Sequence, residues 1–361
     1  MPAVVESLDG QHNIVEEVAA FIERFVFLKH RSLYMILALW TINTHMYERF
    51  QYVATLFLSS PERQCGKTRL LEILHMLVAN SSGINCSPTP AVLFRTAHKC
   101  TQLLDEADGW HSISDVQSVI NAGYERNGTT KRMEPTEGGG YVVRDFPVFA
   151  PRAIAGIGDI LTDTMRDRTL MIQMTRQTRS ERRHKLRQRH VQPEADALKA
   201  RIETWVEEHG ENIQTAYDAK PTFDHLEQYA DRTIDICEPL AVILEEAYSG
   251  DPNLARARTT FTEAIALTRE EKNTYGQDHE ILRAISQLMG DDAELLEQPT
   301  VIAEKCQQVG IGEFSVEAIS DTLRRYRFPV KSARIGPDEA PRKCYAIRRE
   351  PLKEVLDRYA S

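Results

Sequence analysis

The stretch LFLSSPERQCGKTRLLEIL, residues 56–74, decides the fold class. An apolar run enters a turn, and Gly66, Lys67 and Thr68 then open an amphipathic helix. A strand that leads into a helix through such a turn directs backbone N–H groups and the positive end of the helix at one point, which favours a phosphate. The segment therefore predicts an α/β protein with a parallel sheet and a phosphate-binding loop.

The residue types of this loop predict an ATP site. The lysine of such a loop reaches the β- and γ-phosphates, and the hydroxyl of the next residue holds Mg²⁺. Pro61 stands where the pattern has its first glycine, so the loop departs from the full motif. The predicted ATP contacts are Pro61, Glu62, Arg63, Gln64, Cys65, Gly66, Lys67 and Thr68. The alternative is a Gly-Lys-Thr helix start that binds nothing.

A second motif, TQLLDE at residues 101–106, is an apolar strand that ends in two acids. In ATPases with such a strand, the first acid completes the Mg²⁺ shell and the second polarises the attacking water. We therefore assign Asp105, with Thr68, to the metal and ATP site, and Glu106 to catalysis. Two carboxylates at a strand end also cap helices or remain solvated, and that alternative stays open.

Hydrophobic periodicity divides the rest of the chain. It predicts a parallel five-stranded sheet in which the acidic strand lies centrally, beside the loop. The predicted strands are 52–58, 83–87, 101–105, 147–156 and 169–175, and the predicted helices between them are 67–79, 90–99, 114–126 with Ser114 as N-cap, and 162–167. The predicted regions are an N-terminal helical segment at 1–50, a P-loop ATPase core at 51–180 with an inserted β-hairpin at 128–145, a helical lid at 181–275 and a winged-helix-like domain at 276–361.

Composition and charge limit the classes of function. The net charge is −9, so the chain as a whole does not attract nucleic acid, although segments 176–189 and 324–349 are basic. The six cysteines form no CxxC pair, which favours thiols in a reducing compartment over zinc or disulfides. No apolar run is long enough to span a bilayer and the N-terminus lacks secretory-signal features, so we expect a cytoplasmic protein without a membrane partner.

The segment DTMRDR, residues 163–168, precedes the predicted last strand. In ring-forming ATPases an arginine at this place reaches the γ-phosphate of the neighbouring subunit. Arg168 is the first choice for this catalytic role and Arg166 the second, although both also fit surface ion pairs with the adjacent aspartates. The polar sensor expected at the end of the fourth strand stays unassigned, because Arg152 and the run 155–159 offer no Asn or Thr there.

Several longer segments occur in a familiar order. They are SPERQCGKTRLLEIL, LLDEAD, INAGYERNGTTKR, FPVFAPRAIAGIGD, DTMRDRTLMIQMTR and DRTIDICEPLAVILEEA, followed by the tail LRRYRFPVKSARIG and KCYAIRREPLKEVLDRY. Over residues 45–265 the chain resembles the domain-of-unknown-function 3631 family (DUF3631), and the tail is similar to that of many members. The resemblance implies an AAA+-like P-loop ATPase of phages and other mobile elements.

The wider likeness to AAA+ proteins implies two more sets of contacts. In helicases of the superfamily 3 and MCM kind, a hairpin at this place in the order of elements points into the pore of a ring. By that likeness Lys131 and Arg132 would contact a DNA backbone. The lid of AAA+ proteins supplies an arginine to the nucleotide, which implies Arg256 and Arg258. A surface hairpin with an incidental basic pair and solvated helix arginines are the alternatives.

The C-terminal region combines a helix at 315–327 with a basic β-hairpin. This is the winged-helix arrangement, in which the helix enters the major groove and the hairpin rests on the backbone. The predicted DNA contacts are Arg324, Arg325, Arg327, Lys331, Arg334, Arg342 and Lys343. Winged helices also bind proteins, and a basic face is often only solvated.

The motifs together predict an AAA+-like ATPase, with ATP and Mg²⁺ as cofactors, that couples hydrolysis to DNA unwinding or remodelling in a mobile element. We expect a homo-oligomer, with a hexameric ring as one form. The alternative is a non-motor nucleotide-dependent switch or adaptor that binds a protein partner. A DNA-binding regulator with a degenerate pocket would explain Pro61 but not the intact Lys67, Thr68, Asp105 and Glu106.

Overall fold

The computed structural model divides the chain into two compact units, Met1–Glu270 and Glu271–Ser361. The described residues are 13–60, 63–86, 88–107, 113–136, 138–157, 161–219, 223–270, 274–326, 328–333 and 342–358. Four residues of the predicted sites lie outside the described residues, namely Pro61, Glu62, Arg327 and Arg334.

A parallel five-stranded sheet forms the centre of the first unit, as the strand and helix pattern predicts. Its strands are β1 (Thr55–Ser60), β2 (Ser81–Asn85), β3 (Thr101–Leu104), β6 (Arg152–Ile157) and β7 (Thr169–Gln173). The order across the sheet is β2-β3-β6-β1-β7. The acidic strand β3 is an interior strand, and β6 lies between it and β1, because β6 pairs with both.

The two faces of the sheet bury different side chains, because successive residues of a strand point to opposite sides. On one side Leu56 and Leu58 of β1 pack with the helices α1 (Ile14–Phe25), α2 (Ser32–Asn43), α3 (Lys67–Leu77), α7 (Gln188–Asp218), α8 (Asp231–Ala247) and α9 (Leu254–Glu270). On the other side Phe57 packs with α4 (Pro90–Thr96), α5 (Ile113–Ala122) and α6 (Asp163–Arg166). Both sides are covered, which explains why β1 is apolar without alternation.

Local signals place some helix ends and misplace others. The predicted cap before α4 is present, since Thr89 Oγ1 accepts a hydrogen bond from the N–H of Val92 at 3.3 Å and Pro90 takes the first helical position. Ser114 is not the N-cap of α5, because that helix begins at Ile113. The predicted helix 114–126 also ends early, at Ala122, because the chain turns at Gly123 toward the inserted hairpin.

The two N-terminal helices are part of the core of the first unit. Asn13 Oδ1 caps α1 by accepting from Val15 N at 2.9 Å. The helix α2 is buried on all sides, and the indole Nε1 of Trp40 donates to Ala54 O at 2.8 Å just before β1 begins. The helices α1 and α2 therefore support the strand that carries the loop.

An antiparallel hairpin occupies the predicted insertion. It consists of β4 (Thr129–Pro135) and β5 (Tyr141–Pro147), which pair from Thr129↔Pro147 to Pro135↔Tyr141. Its turn contains Gly139, whose φ of 81° lies in the left-handed region that glycine adopts without strain.

Within its described residues, the second unit combines four helices with a small antiparallel sheet. In chain order the elements are α10 (Thr274–Met289), β8 (Glu294–Glu297), α11 (Pro299–Val309), α12 (Val316–Arg325), β9 (Val330–Ala333), β10 (Arg342–Arg348) and α13 (Arg349–Arg358). The sheet order is β8-β10-β9. Apolar residues of its helices and of β10 form a core of their own, which includes Ile285, Ile302, Leu323 and Ile347.

Candidate nucleotide site

The described part of the loop between β1 and α3, residues 63–66, contains two positions with positive φ. Gly66 is the N-cap of α3 with φ 92° and ψ 8°, and Gln64 also has a positive φ of 65°. Because the N-cap is a glycine, it offers no side chain of its own to the first N–H groups of α3. A helix N-terminus can present such amides and its positive end to an anion.

The contacts of Lys67 and Thr68 bring the two sequence motifs together. The ammonium of Lys67 donates to Ser60 Oγ at the carboxyl end of β1. The hydroxyl of Thr68 donates to Asp105 Oδ2 at 2.8 Å, although 37 residues separate them in the chain. The loop and the acidic strand thus meet at one edge of the sheet. Ser60, a hydroxyl at the last position of the strand, is a site residue that the sequence analysis missed.

The two acids have different environments. Asp105 is buried, and its Oδ1 accepts a hydrogen bond from Glu106 N at 2.8 Å. Its own N–H donates to Asn85 O on β2 at 3.0 Å, which fixes the backbone. Glu106 is exposed and has a positive φ of 55°, an uncommon conformation for this residue type. The first acid is held in place and the second projects from the strand end.

The donor set at this edge fits Mg²⁺. Thr68 supplies a hydroxyl and Asp105 a carboxylate, the hard oxygen ligands that this ion prefers. Mg²⁺ usually keeps several waters and takes only one or two carboxylates from the protein, with substrate phosphates as further ligands. No cluster of three or more His, Cys, Asp or Glu side chains suited to a metal occurs within the described ranges.

The remaining loop residues differ in exposure. Arg63 and Gln64 are exposed, whereas Cys65 is buried with its Sγ 3.7 Å from Arg63 O. Arg176, from the basic segment after β7, places its Nη2 3.5 Å from Gln64 Oε1. Cys86 follows β2 close to the two acids: desolvation first, and then the Asp105 and Glu106 carboxylates, raise the pKa of its thiol. No disulfide joins any of the six cysteines, all of which are described.

The two candidate arginines before β7 are placed differently. Arg166 is buried, with 7% of its surface exposed. Arg168 is half-buried, its guanidinium lies 4.6 Å from the ring centroid of Tyr124, and its Nη1 donates to Thr164 O at 2.6 Å. Asp167 makes an ion pair with Arg232 at 3.7 Å. Of the two arginines, Arg168 is the more exposed.

The two arginines of the predicted lid, Arg256 and Arg258, lie on α9. Arg256 is exposed on α9, and Arg258 donates to both carboxylate oxygens of Glu245 at 2.7 and 2.5 Å. Arg258 lines a cavity of about 830 Å³ whose wall residues all fall between Ala216 and Glu263. The structure therefore does not bring Arg258 to the loop in this conformation.

The predicted basic pair of the hairpin is divided between two faces, as the strand pleat requires. Lys131 Nζ lies 3.7 Å from Asp145 Oδ1 on one face. Arg132 turns to the other, where its guanidinium lies 5.4 Å from the Phe94 ring centroid on α4. The two residues therefore do not form one continuous basic surface.

The described basic residues of the second unit lie at its surface. Arg324 of α12 pairs with Asp321 at 3.0 Å, and Lys331 of β9 pairs with Glu294 at 2.9 Å. Arg342 and Lys343 are exposed on β10. Arg325 closes α12.

The comparison with known families decides the membership of the chain. The family described as protein of unknown function DUF3631 matches residues 173–359, more than half of the chain. The protein is a member of DUF3631. The match differs from the predicted extent of 45–265: it begins at the end of β7 and covers the lid helices and the second unit. Membership in DUF3631 therefore does not itself account for the loop and the acidic strand.

Two solved structures show weak similarity to this DUF3631 protein. One is described as the active helicase Cch of SCCmec type IV; it is 13% identical with a TM-score of 0.42, over 96% of this chain and 68% of that chain. Another is the apo C-terminal region of NrS-1; it is 12% identical with a TM-score of 0.39, over 95% of this chain and 77% of that chain. Similarity at this level does not establish a common fold.

No curated protein matches the DUF3631 chain. Among the helices that the structure describes, none combines the length and the apolar character needed to cross a membrane.

Proposed function

We propose that this protein is an ATPase of the P-loop, AAA+-like type that uses Mg²⁺. The observation that carries the proposal is the 2.8 Å hydrogen bond between Thr68 and Asp105, which joins the loop motif to the acidic-strand motif. In P-loop ATPases these two residue types share one Mg²⁺ ion. A ligand set that two distant motifs build at a helix N-terminus supports nucleotide binding over a helix start without a ligand.

The proposed roles follow from the placement of each group. The Lys67 ammonium would leave Ser60 for the β- and γ-phosphates, while Thr68 and Asp105 would hold Mg²⁺. Bound Mg²⁺ would neutralise the charge that develops on the phosphates. Glu106, exposed at the strand end, would orient and deprotonate the attacking water. Arg168 would reach the nucleotide of a neighbouring subunit, and Arg166 would support the segment from its buried position. Arg256 and Arg258 would act only after a rearrangement that releases Arg258 from Glu245.

We propose that ATP hydrolysis is coupled to DNA unwinding or remodelling in a homo-oligomer. The order of elements in the second unit supports this: helix, strand, two helices and a two-stranded hairpin is the succession of a winged helix. Exposed Arg324, Lys331, Arg342 and Lys343 on α12 and its hairpin would contact phosphates.

A second candidate function is a nucleotide-dependent switch that binds a protein. The exposed side chains of the β4–β5 hairpin favour it, because Met133 and Tyr141 are 60% and 71% exposed, and Val143 is 56% exposed. Adjacent apolar side chains that are exposed to solvent mark interaction surfaces. The two candidates differ in whether DNA changes the rate of hydrolysis.

The test is steady-state ATP hydrolysis by the wild type, Lys67→Ala and Lys29→Ala, each with and without single-stranded DNA. We expect Lys67→Ala to lower kcat by about 100-fold or more, because a donor to transition-state charge is lost. Lys29→Ala removes the same charge at an exposed position and should be neutral. Equal activity of Lys67→Ala and wild type would refute the ATP site. Hydrolysis that DNA does not stimulate would favour the switch.

A further inference from the structure

Arg152 is a buried charge that the proposed ATP chemistry does not use. It opens β6, at the strand end opposite to the nucleotide edge, and none of its surface is exposed. Within the described residues it makes no ion pair with a carboxylate. Burial lowers the pKa of its guanidinium to about 10. An arginine without a carboxylate costs several kcal/mol to bury unless hydrogen bonds compensate it, so its contacts indicate what it is for.

The guanidinium of Arg152 connects the central sheet to the two segments that flank the β4–β5 hairpin. These segments, residues 123–128 before the hairpin and 148–150 after it, are called its roots below. Its Nε donates to Gln102 Oε1 on β3 at 2.7 Å. Its Nη1 donates to Gly123 O at 3.1 Å, before the hairpin, and to Ala150 O at 3.2 Å, after it. Its Nη2 donates to Val148 O at 2.5 Å. The planar fork of an arginine matches several acceptors at once, which a lysine does not.

Gln102 extends this network toward the helix that supports the hairpin. Its Nε2 donates to Leu93 O at 2.8 Å and to Thr96 Oγ1 at 3.0 Å, both on α4. The helix α4 in turn contacts the inner face of the hairpin through Arg95, whose Nη2 lies 2.8 Å from Glu134 Oε1. The ring centroids of Phe94 and Phe146 are 4.7 Å apart. Gln102 therefore contacts both supports of the hairpin.

The same strand carries the proposed catalytic acids. Gln102 is paired in register with Arg152 and lies three residues before Asp105. A short, fully buried strand moves as a rigid element. A displacement of β3 at the nucleotide edge would therefore reach Gln102, and through Arg152 the roots of the hairpin.

We propose that Arg152 is a positioning residue that holds the roots of the hairpin to β3 and transmits nucleotide-dependent changes at Asp105 and Glu106 to the hairpin. The part on transmission rests on the proposed ATP site, whereas the part on positioning does not. Arg152 itself does not touch the nucleotide.

The test is hydrogen–deuterium exchange of the hairpin amides, residues 129–147, in the full chain. The variants are Arg152→Lys and Gln102→Leu, and the control is Gln188→Leu, an exposed glutamine at the start of α7. Without nucleotide we expect both variants to exchange at least about tenfold faster than the wild type in the hairpin, with α3 unchanged. Unchanged hairpin exchange in both variants would overturn the positioning role. Gln102→Leu removes the contact between Arg152 and β3 but keeps the contacts of Arg152 with the carbonyl groups. It therefore tests the positioning role even if Arg152→Lys does not fold.

The second arm adds ATP and Mg²⁺, with the Kd for ATP measured by titration on the same samples. We expect nucleotide to slow hairpin exchange in the wild type but not in Arg152→Lys, although both bind ATP with similar Kd. If Arg152 only held the hairpin in place, ATP would slow hairpin exchange in Arg152→Lys as it does in the wild type. That result would overturn the proposed transmission of nucleotide-dependent changes. A wild type that binds no ATP would remove the proposed function and transmission together, while the first arm would still decide the positioning role.

Discussion

Gly123 shows how closely one residue can be constrained by a buried charge. A Cβ at this position would lie 2.2 Å from Arg152 Nη1 and 2.3 Å from Val148 O. Neither atom is free to move, because the guanidinium is fixed by its acceptors and the carbonyl belongs to the root of the hairpin. The need for glycine here arises from close approach rather than from a left-handed backbone.

We therefore predict that Gly123→Ala lowers the free energy of unfolding by about 1–3 kcal/mol, the usual cost of forcing atoms into a packed interior. Urea unfolding monitored by circular dichroism measures the change. The matched control is Gly138→Ala in the hairpin turn, where no atom lies within 4 Å of the added Cβ. If the two variants were equally stable, the close contact at Gly123 would not constrain the fold.

Among the helices and strands, α2 and α3 are joined by polar contacts at their ends. The Nε2 of His45, just after α2, lies 2.8 Å from Leu77 O at the end of α3. The Oγ1 of Thr44 accepts from Ala79 N at 3.1 Å. The His45 contact satisfies one of the carbonyl groups that the end of a helix leaves without a partner, and the two contacts together connect α3 to α2. Desolvation is the main reason why the pKa of His45 lies below its ordinary value.

The His45 contact predicts a pH dependence of stability. Above a pH of about 6.5 the histidine is neutral in both states and contributes no slope. Below it the unfolded chain binds a proton that the folded chain resists, so the free energy of unfolding falls as the pH falls. Chemical unfolding from pH 7.5 to 5.5 should show a smaller loss for His45→Gln than for the wild type. The control is the exposed His30→Gln, which should follow the wild type; a His45→Gln profile that also follows it would contradict the assignment.

For the whole molecule, the proposed active site in the oligomer includes Arg168 from the neighbouring subunit. Arg168 is half-buried and its guanidinium contacts the ring of Tyr124, whereas Glu106 is exposed just beyond the carboxyl end of β3 in the same unit. If Arg168 acts in trans, an active site needs Glu106 from one subunit and Arg168 from its neighbour.

We predict that Arg168→Ala and Glu106→Gln are each nearly inactive, and that mixing them restores ATP hydrolysis above the sum of the separate activities. Restoration arises because an Arg168→Ala subunit keeps Glu106 and receives Arg168 from its neighbour. A partner that carries both substitutions supplies no arginine and should restore nothing. Hydrolysis that is merely additive in the first mixture would exclude the trans role.

Local sequence patterns predicted the parallel sheet and the cap of α4, and they assigned Thr68 and Asp105 to one site. They did so because helix caps and apolar strands depend on residues within one turn or one strand. The same patterns misplaced Ser114 as an N-cap, because a helix start also depends on which distant segments pack against it.

The sequence by itself determined that a strand, a glycine-lysine-threonine loop and a second acidic strand occur in one α/β chain, since these signals are local in residue type and spacing. Tertiary structure decided that β6 separates β1 from β3, that Lys131 and Arg132 face opposite sides, and that Arg152 is buried among carbonyl groups. Those features depend on strand order, pleat and burial. Each is set by the free energy of packing segments that lie far apart in the chain.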